Sequence, residues 1–254
     1  MFVALVSFPQ IGTVKAEDTI YIKSDGSVEG TELLQRNGEV YTFLGDVSGK
    51  IVVSKDFITI DGAGYSLKGS GDSSQTGIDL TFRKNVIVTN LVIMDYFTGV
   101  YCKPGAVTAT NITVVNNYIH DCDIGIEFLG ISDNLIEYNT FENNTIDVSI
   151  SYVIGNNVIK HNNIDSYIQV WMSDQPTIDM NYWTDYNGTD SDGDGIGDTA
   201  YYYHDSLQDS NPLTEPVPTI PEFASWTPLL SLVFILLASL TIVVFKKKVW
   251  REFL

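Results

Sequence analysis

Five carboxylates crowd residues 185–198: Asp185, Asp190, Asp192, Asp194 and Asp198. Asp190, Asp192 and Asp194 alternate and Gly195 follows, which is how an EF-hand-type loop begins, with oxygens at positions 1, 3 and 5 converging on a cation. Asp198 falls at position 9, but position 12 is Tyr201 where a bidentate Glu would be needed, so the loop is not an EF-hand. No Lys or Arg occurs between His161 and Phe245. Clustered carboxylates without a cation repel one another unless water or a metal ion screens them. An all-oxygen donor set points to calcium rather than zinc or copper. The expected role is structural: the ion pins a loop that closes the fold.

A second constellation, His120, Asp121, Glu142 and Asp165, depends on the elements that position it. Four segments repeat one pattern: Asn85–Asn90, Asn111–Asn116, Asn134–Asn139 and Asn157–Asn162, with the first Asn recurring after 26, 23 and 23 residues. A period of this size signals stacked repeats, each too small to bury its own apolar face. Behind each segment, Ile124, Ile126 and Phe128 alternate with Gly125 and Glu127, and Ile146, Val148 and Ile150 alternate with Asp147 and Ser149. Strict alternation reads as half-buried strand, which places Asp147 and Ser149 outside. The expected fold is all-β, a right-handed parallel β-helix of about five to six coils, with Asn at corners where the backbone turns left-handed. The Leu frame of a leucine-rich repeat is absent.

Aligning Ile93, Ile119, Phe141 and Ile164 stacks Met94, His120, Glu142 and Asp165 in one column, with Asp95 and Asp121 beside it. Carboxylates on one outer face can do acid and base work on glycosidic bonds. In the repeats it spans, this face has no basic residue to bind a substrate carboxylate, so hydrolase, lyase or epimerase activity is the alternative reading. Exposed aromatics offer another chemistry, the stacking of sugar rings, and Trp171, Tyr101 and Tyr138 are its candidates. Copper handling would need clustered soft ligands. His120, His161, His204, Met94, Met172, Met180, Cys102 and Cys122 are instead scattered. The two cysteines fit a disulfide or two buried thiols.

The ends set the expected compartment. Residues 1–16 are apolar and finish in a small-residue cleavage pattern, reading as a signal peptide; the missing basic n-region is what a truncated one would show. Residues 226–245 read as a transmembrane helix, with an uncharged run from Thr227 to Phe245 of about 28 Å. A basic tail, 246–254, follows and is expected to stay cytoplasmic. Between these lie N-terminal coils (17–84), Asn-rich repeats (85–176), a cap with the acidic loop (177–211) and a Pro-rich stalk (212–225). The segment from Glu17 to Ser225 carries nine Lys and Arg against 31 Asp and Glu. So acidic a surface repels nucleic acid.

The block Asn181-Tyr-Trp-Thr-Asp-Tyr186 and the run Asp192-Gly-Asp-Gly-Ile-Gly-Asp198, together with the Asn-rich repeats, resemble NosD-like right-handed β-helix proteins. These belong to a broader class of carbohydrate-binding proteins and sugar hydrolases. The tail Ile220-Pro-Glu-Phe223 is similar to the sorting tails of archaeal surface proteins. The resemblance implies a membrane-anchored, extracellular rod that binds a polysaccharide or surface glycan or serves as a structural module, and fold alone does not decide between them.

Overall fold

The computed structural model describes residues 19–105, 110–152, 155–171, 174–204 and 207–218. The expected signal peptide and transmembrane helix lie outside the described residues. Among those described, no helix is long and apolar enough to cross a membrane.

Each coil holds three short strands, as in Val86–Thr89, Val92–Met94 and Thr98–Cys102. Each strand pairs in parallel with its counterpart one coil away, which builds three sheets along the rod. Sheet 1 contains Val86–Thr89, sheet 2 Val92–Met94 and sheet 3 Thr98–Cys102. Six complete coils run from Val40–Phe43 to Ile168–Trp171, and Thr177–Asp179 with Tyr182–Trp183 starts a seventh. At the N-terminal end, antiparallel strands Val28–Glu29 and Leu34–Asn37 cover the edges of sheets 3 and 1. Covering an edge in this way blocks pairing with a foreign strand.

Parallel pairing in register stacks like on like. In sheet 3, Ile20, Ile51, Ile78, Val100, Ile126, Val148 and Ile168 form one buried column. Each such side chain contributes about 1.5–3 kcal/mol by leaving water. Beside it, Gly77, Gly99 and Gly125 stack because strands approach closely there: a Cβ on Gly125 would lie 2.6 Å from the Asp147 carbonyl.

Two expectations about the repeats need correction. The sheet 1 register pairs Ile87 with Thr113, Thr113 with Leu135 and Leu135 with Val158, so the second step is 22 residues and not 23. Asn85 and Asn111 are left-handed corners (φ 53° and 48°), whereas Asn134 and Asn157 stand one position further on and are buried. Asn serves two adjacent sites in each coil, and matching letters slipped between them. Asp147 and Ser149 are also buried and not outward. Asp147 follows the glycine column in register, where the space left by absent side chains lets it turn inward.

The buried Asn positions form a ladder along the rod. Asn117 donates through its backbone N–H and Nδ2 to Asn139 Oδ1, both at 3.0 Å, and Asn139 does the same to Asn162 Oδ1 at 2.9 and 3.1 Å. Asn162 donates likewise to Asn181 Oδ1. A buried amide needs every one of these bonds, since each unmet donor costs on the order of 1–3 kcal/mol.

Candidate functional site

Three outer regions and one loop hold the candidate residues. At the corner between sheets 2 and 3, pairing places Met94 beside His120 and His120 beside Glu142, as the repeat predicts. His120 Nδ1 lies 2.7 Å from Asp121 Oδ2, and its ring stacks on Tyr118 with centroids 4.5 Å apart. Asn143 Nδ2 donates to Asp121 Oδ1, and Tyr118 OH donates to Glu142 Oε2. Asp165 accepts from Asn143 N at 3.1 Å and from Thr184 Oγ1 at 3.2 Å. The hydrogen bonds from His120 and Asn143 hold the Asp121 carboxyl below the usual carboxylate range, so it is a base or a positioning group and not an acid. The repeats that this face spans supply no cation, but the coil before them does. Lys68 pairs in register with Met94 and bridges to Asp95 at 3.2 Å. It lay in a coil before the recognisable repeats.

The aromatic candidates do not share a face. Tyr138 occupies a left-handed corner between sheets 1 and 2 (φ 55°), where it stacks on His161 at 5.1 Å and 7°. Glu137 Oε1 lies 3.2 Å from both His161 Nδ1 and Lys160 Nζ. Tyr101 stands mid-sheet 3 between Asp79 and Glu127, partly buried, and burial raises its pKa. Trp171 ends sheet 3, points outward as alternation predicts, and meets Tyr152 edge-on at 5.2 Å. His120 and His161 therefore sit on different corners, each beside a carboxylate, which leaves no clustered soft site between them.

In the acidic loop, one carboxylate oxygen from each of Asp190, Asp192 and Asp194 lies within 4.8 Å of the others. Asp190 also accepts from Gly193 N (2.8 Å) and Gly195 N (2.9 Å), which shapes the turn. The other two expected ligands have other partners. Asp198 Oδ2 accepts from Thr189 Oγ1 and from Ser191 N and Oγ, which lowers its pKa. Asp185 is hydrogen-bonded to Tyr201. The triad offers only oxygen donors, the type that a hard cation such as calcium takes.

Sequence reasoning missed Asp209. It is fully buried and ends the Asn ladder: Oδ2 accepts from Asn181 N (2.9 Å), Asn181 Nδ2 (3.2 Å) and Trp183 Nε1 (3.1 Å). Oδ1 accepts from Met180 N and Asn211 N, both at 3.1 Å. Trp183 is buried as a plug stacked on Tyr201 and Tyr203. The segment expected as a stalk from residue 212 is docked as far as Val217, whose N–H donates to Asn163 Oδ1 at 2.8 Å. Both cysteines are free thiols, and burial pushes each up to about 12.

This geometry accords with the comparison against known families. Residues 58–170 match the model of the right handed beta helix region. The match spans five of the coils described above, the last of them to within one residue, and gives the solenoid its hand. No curated protein and no solved structure matches the chain.

Proposed function

We propose that this chain is a glycan-binding module of the cell surface, built as a β-helix rod whose acidic cap loop holds a structural calcium ion. The observation that carries the reading is Trp171, 54% exposed at the end of sheet 3 and braced edge-on by Tyr152. An indole so exposed is costly in water and suits the apolar face of a sugar ring. The apolar segment 226–245 and the basic tail support an outer-surface rod on a membrane anchor, as does the likeness to NosD-like proteins. Full-length protein tested for retention on neutral and acidic polysaccharides decides the matter. Trp171→Ala is expected to weaken retention at least tenfold, and wild-type protein retained on no glycan would leave only a structural spacer.

A second reading is favoured by the 2.7 Å contact of His120 with Asp121 beside Lys68 and Glu142. These groups supply a base, a carboxyl and a cation for polysaccharide cleavage. New chain ends that disappear in Asp121→Asn or Glu142→Gln would establish it. Their absence with every polymer retained would leave binding alone.

A further inference from the structure

Within an acidic chain, one edge of the rod is cationic and aromatic. Of the nine Lys and Arg from residue 19 to residue 218, Lys55, Arg83, Lys84 and Lys103 belong to the turns that lead out of sheet 3 in consecutive coils. Two of them are neutralised: Lys55 pairs with Glu39 at 3.1 Å and Arg83 with Asp56 at 3.4 Å. The ammonium groups of Lys84 and Lys103 form no ion pair among the described residues, and Lys84 meets Asp56 only through its backbone N–H, at 3.2 Å. Each ammonium sits instead over a phenylalanine ring, Lys84 at 5.8 Å from the centre of Phe57 and Lys103 at 6.0 Å from that of Phe82. In a chain with 32 acidic and 14 basic residues, an ammonium without an ion-pair partner stands out.

The rings are equally unusual. Phe57 and Phe82 are 62% and 56% exposed, and both have left-handed backbone, φ 60° and 64°. At the corner that Phe57 occupies, the next two coils use Asn85 and Asn111, and Asn tolerates the left-handed backbone. A phenylalanine there has the wrong backbone preference and the wrong solvent, so local stability does not account for it. Consecutive turns are tied backbone to backbone, Phe57 N donating to Lys84 O at 3.2 Å and Phe82 N to Lys103 O at 2.9 Å. Phe57 stands where sheet 1 begins, and Phe82 where the chain leaves sheet 3, the place that Tyr152 takes further along. Stacked coils advance by about 4.8 Å, close to one pyranose unit of an extended chain. Further along the same edge come Tyr152, also left-handed (φ 56°), and Trp171.

We infer that Phe57, Phe82, Lys84 and Lys103 form a binding track for an anionic polysaccharide laid along the rod, the rings stacking on sugar faces and the two ammonium groups meeting carboxylates or sulfates. The inference rests on the glycan-binding reading and names its ligand class. The net charge of −18 argues against polyanions for the surface as a whole and confines them to this edge. The same charge sets the condition for binding: attraction must be short-ranged and salt-sensitive.

The test uses full-length protein with polygalacturonate, the same polymer fully methyl-esterified, and polyglutamate as an acidic chain without sugar rings. Two double variants are compared, Lys84→Gln/Lys103→Gln and Phe57→Asn/Phe82→Asn, the second keeping a residue that accepts the left-handed turn. Thermal midpoints within a few degrees of wild type establish that both fold. Polygalacturonate retention is expected to fall at least tenfold in each variant and to weaken with salt, with the ester and polyglutamate held poorly by wild type. Equal retention of acid and ester overturns the inference, as does loss in the lysine variant alone, which is simple ion exchange. Polyglutamate bound as well as polygalacturonate points to an acidic protein partner and also overturns it. If Trp171→Ala abolishes retention of a neutral glycan while both double variants keep every affinity, the track fails and the broader glycan reading stands. Retention of no glycan by wild type fails both.

Discussion

The indole Nε1–H of Trp183 donates to Asp209 Oδ2 at 3.1 Å, and that same oxygen accepts the final amide of the Asn ladder. One buried carboxylate thus joins the plug of the last coil to a hydrogen-bonded line reaching back to Asn117. Removing it strands several donors at once. Asp209→Ala is expected to cost about 3–5 kcal/mol, as for other buried charges that lose their network. Urea unfolding followed by far-ultraviolet circular dichroism measures the loss. Asn90→Ala, at a part-exposed corner, serves as a comparison and should cost far less; similar losses in the two variants would mean that the ladder has no special role.

Asp147 gives the rod a pH dependence of defined sign. Burial raises its pKa to about 6, against the opposing pull of N–H donors from Ser166, Asn144 and Asp165. The folded protein therefore takes up a proton before the unfolded chain does as pH falls. The contribution of this group is fully present below pH 3.8 and is lost as pH rises through about 6. The amplitude is about 3 kcal/mol. Comparing unfolding free energies of wild type and Asp147→Asn across this range isolates the slope, and parallel curves would contradict the assignment.

Both thiols should be silent to alkylation in the native state. Cys102 Sγ donates to Leu80 O at 3.1 Å and Cys122 Sγ to His120 O at 3.4 Å. With each thiol pushed up to about 12, thiolate is scarce at neutral pH. Iodoacetamide followed by mass spectrometry should label neither residue until denaturant is added.

Phe82→Asn is expected to raise stability by about 0.5–1 kcal/mol, because Asn accepts the left-handed backbone and leaves no exposed ring. A shift of the thermal midpoint upward checks this. A fall would mean that the Lys103 contact outweighs backbone strain.

Calcium should raise the thermal midpoint of wild-type protein and a chelator should lower it. Asp190→Asn/Asp192→Asn should remove the response, because two of the three converging carboxylates lose charge. A calcium response that survives in the variant would place the ion elsewhere.

The architecture was legible because its signal is repeated: Ile93, Ile119 and Phe141 announce one another, and register follows from burial. The column of His120 and Glu142 came with it. What escaped the sequence obeyed no repeat. Lys68 precedes the recognisable copies, Asp147 sits where glycines stand in earlier coils, and Asp209 returns from 28 residues beyond Asn181 to close the ladder. The slip of one residue in the Asn frame has a physical origin too, since the corner and the ladder sites are neighbours and Asn fits both. Phe57 and Phe82 were overlooked because left-handed backbone is not expected for an aromatic residue.

The Asn ladder makes the length of the rod adjustable. Every rung presents the same acceptor to the coil before it and the same donors to the coil after it, so only the last rung needs something different, and Asp209 supplies that from outside the repeat. Coils can be duplicated or lost between Asn117 and Asn181 without redesigning either terminus. A chain of this kind can lengthen coil by coil in its second half while the edge of rings and amines, which lies before Asn117, stays unchanged.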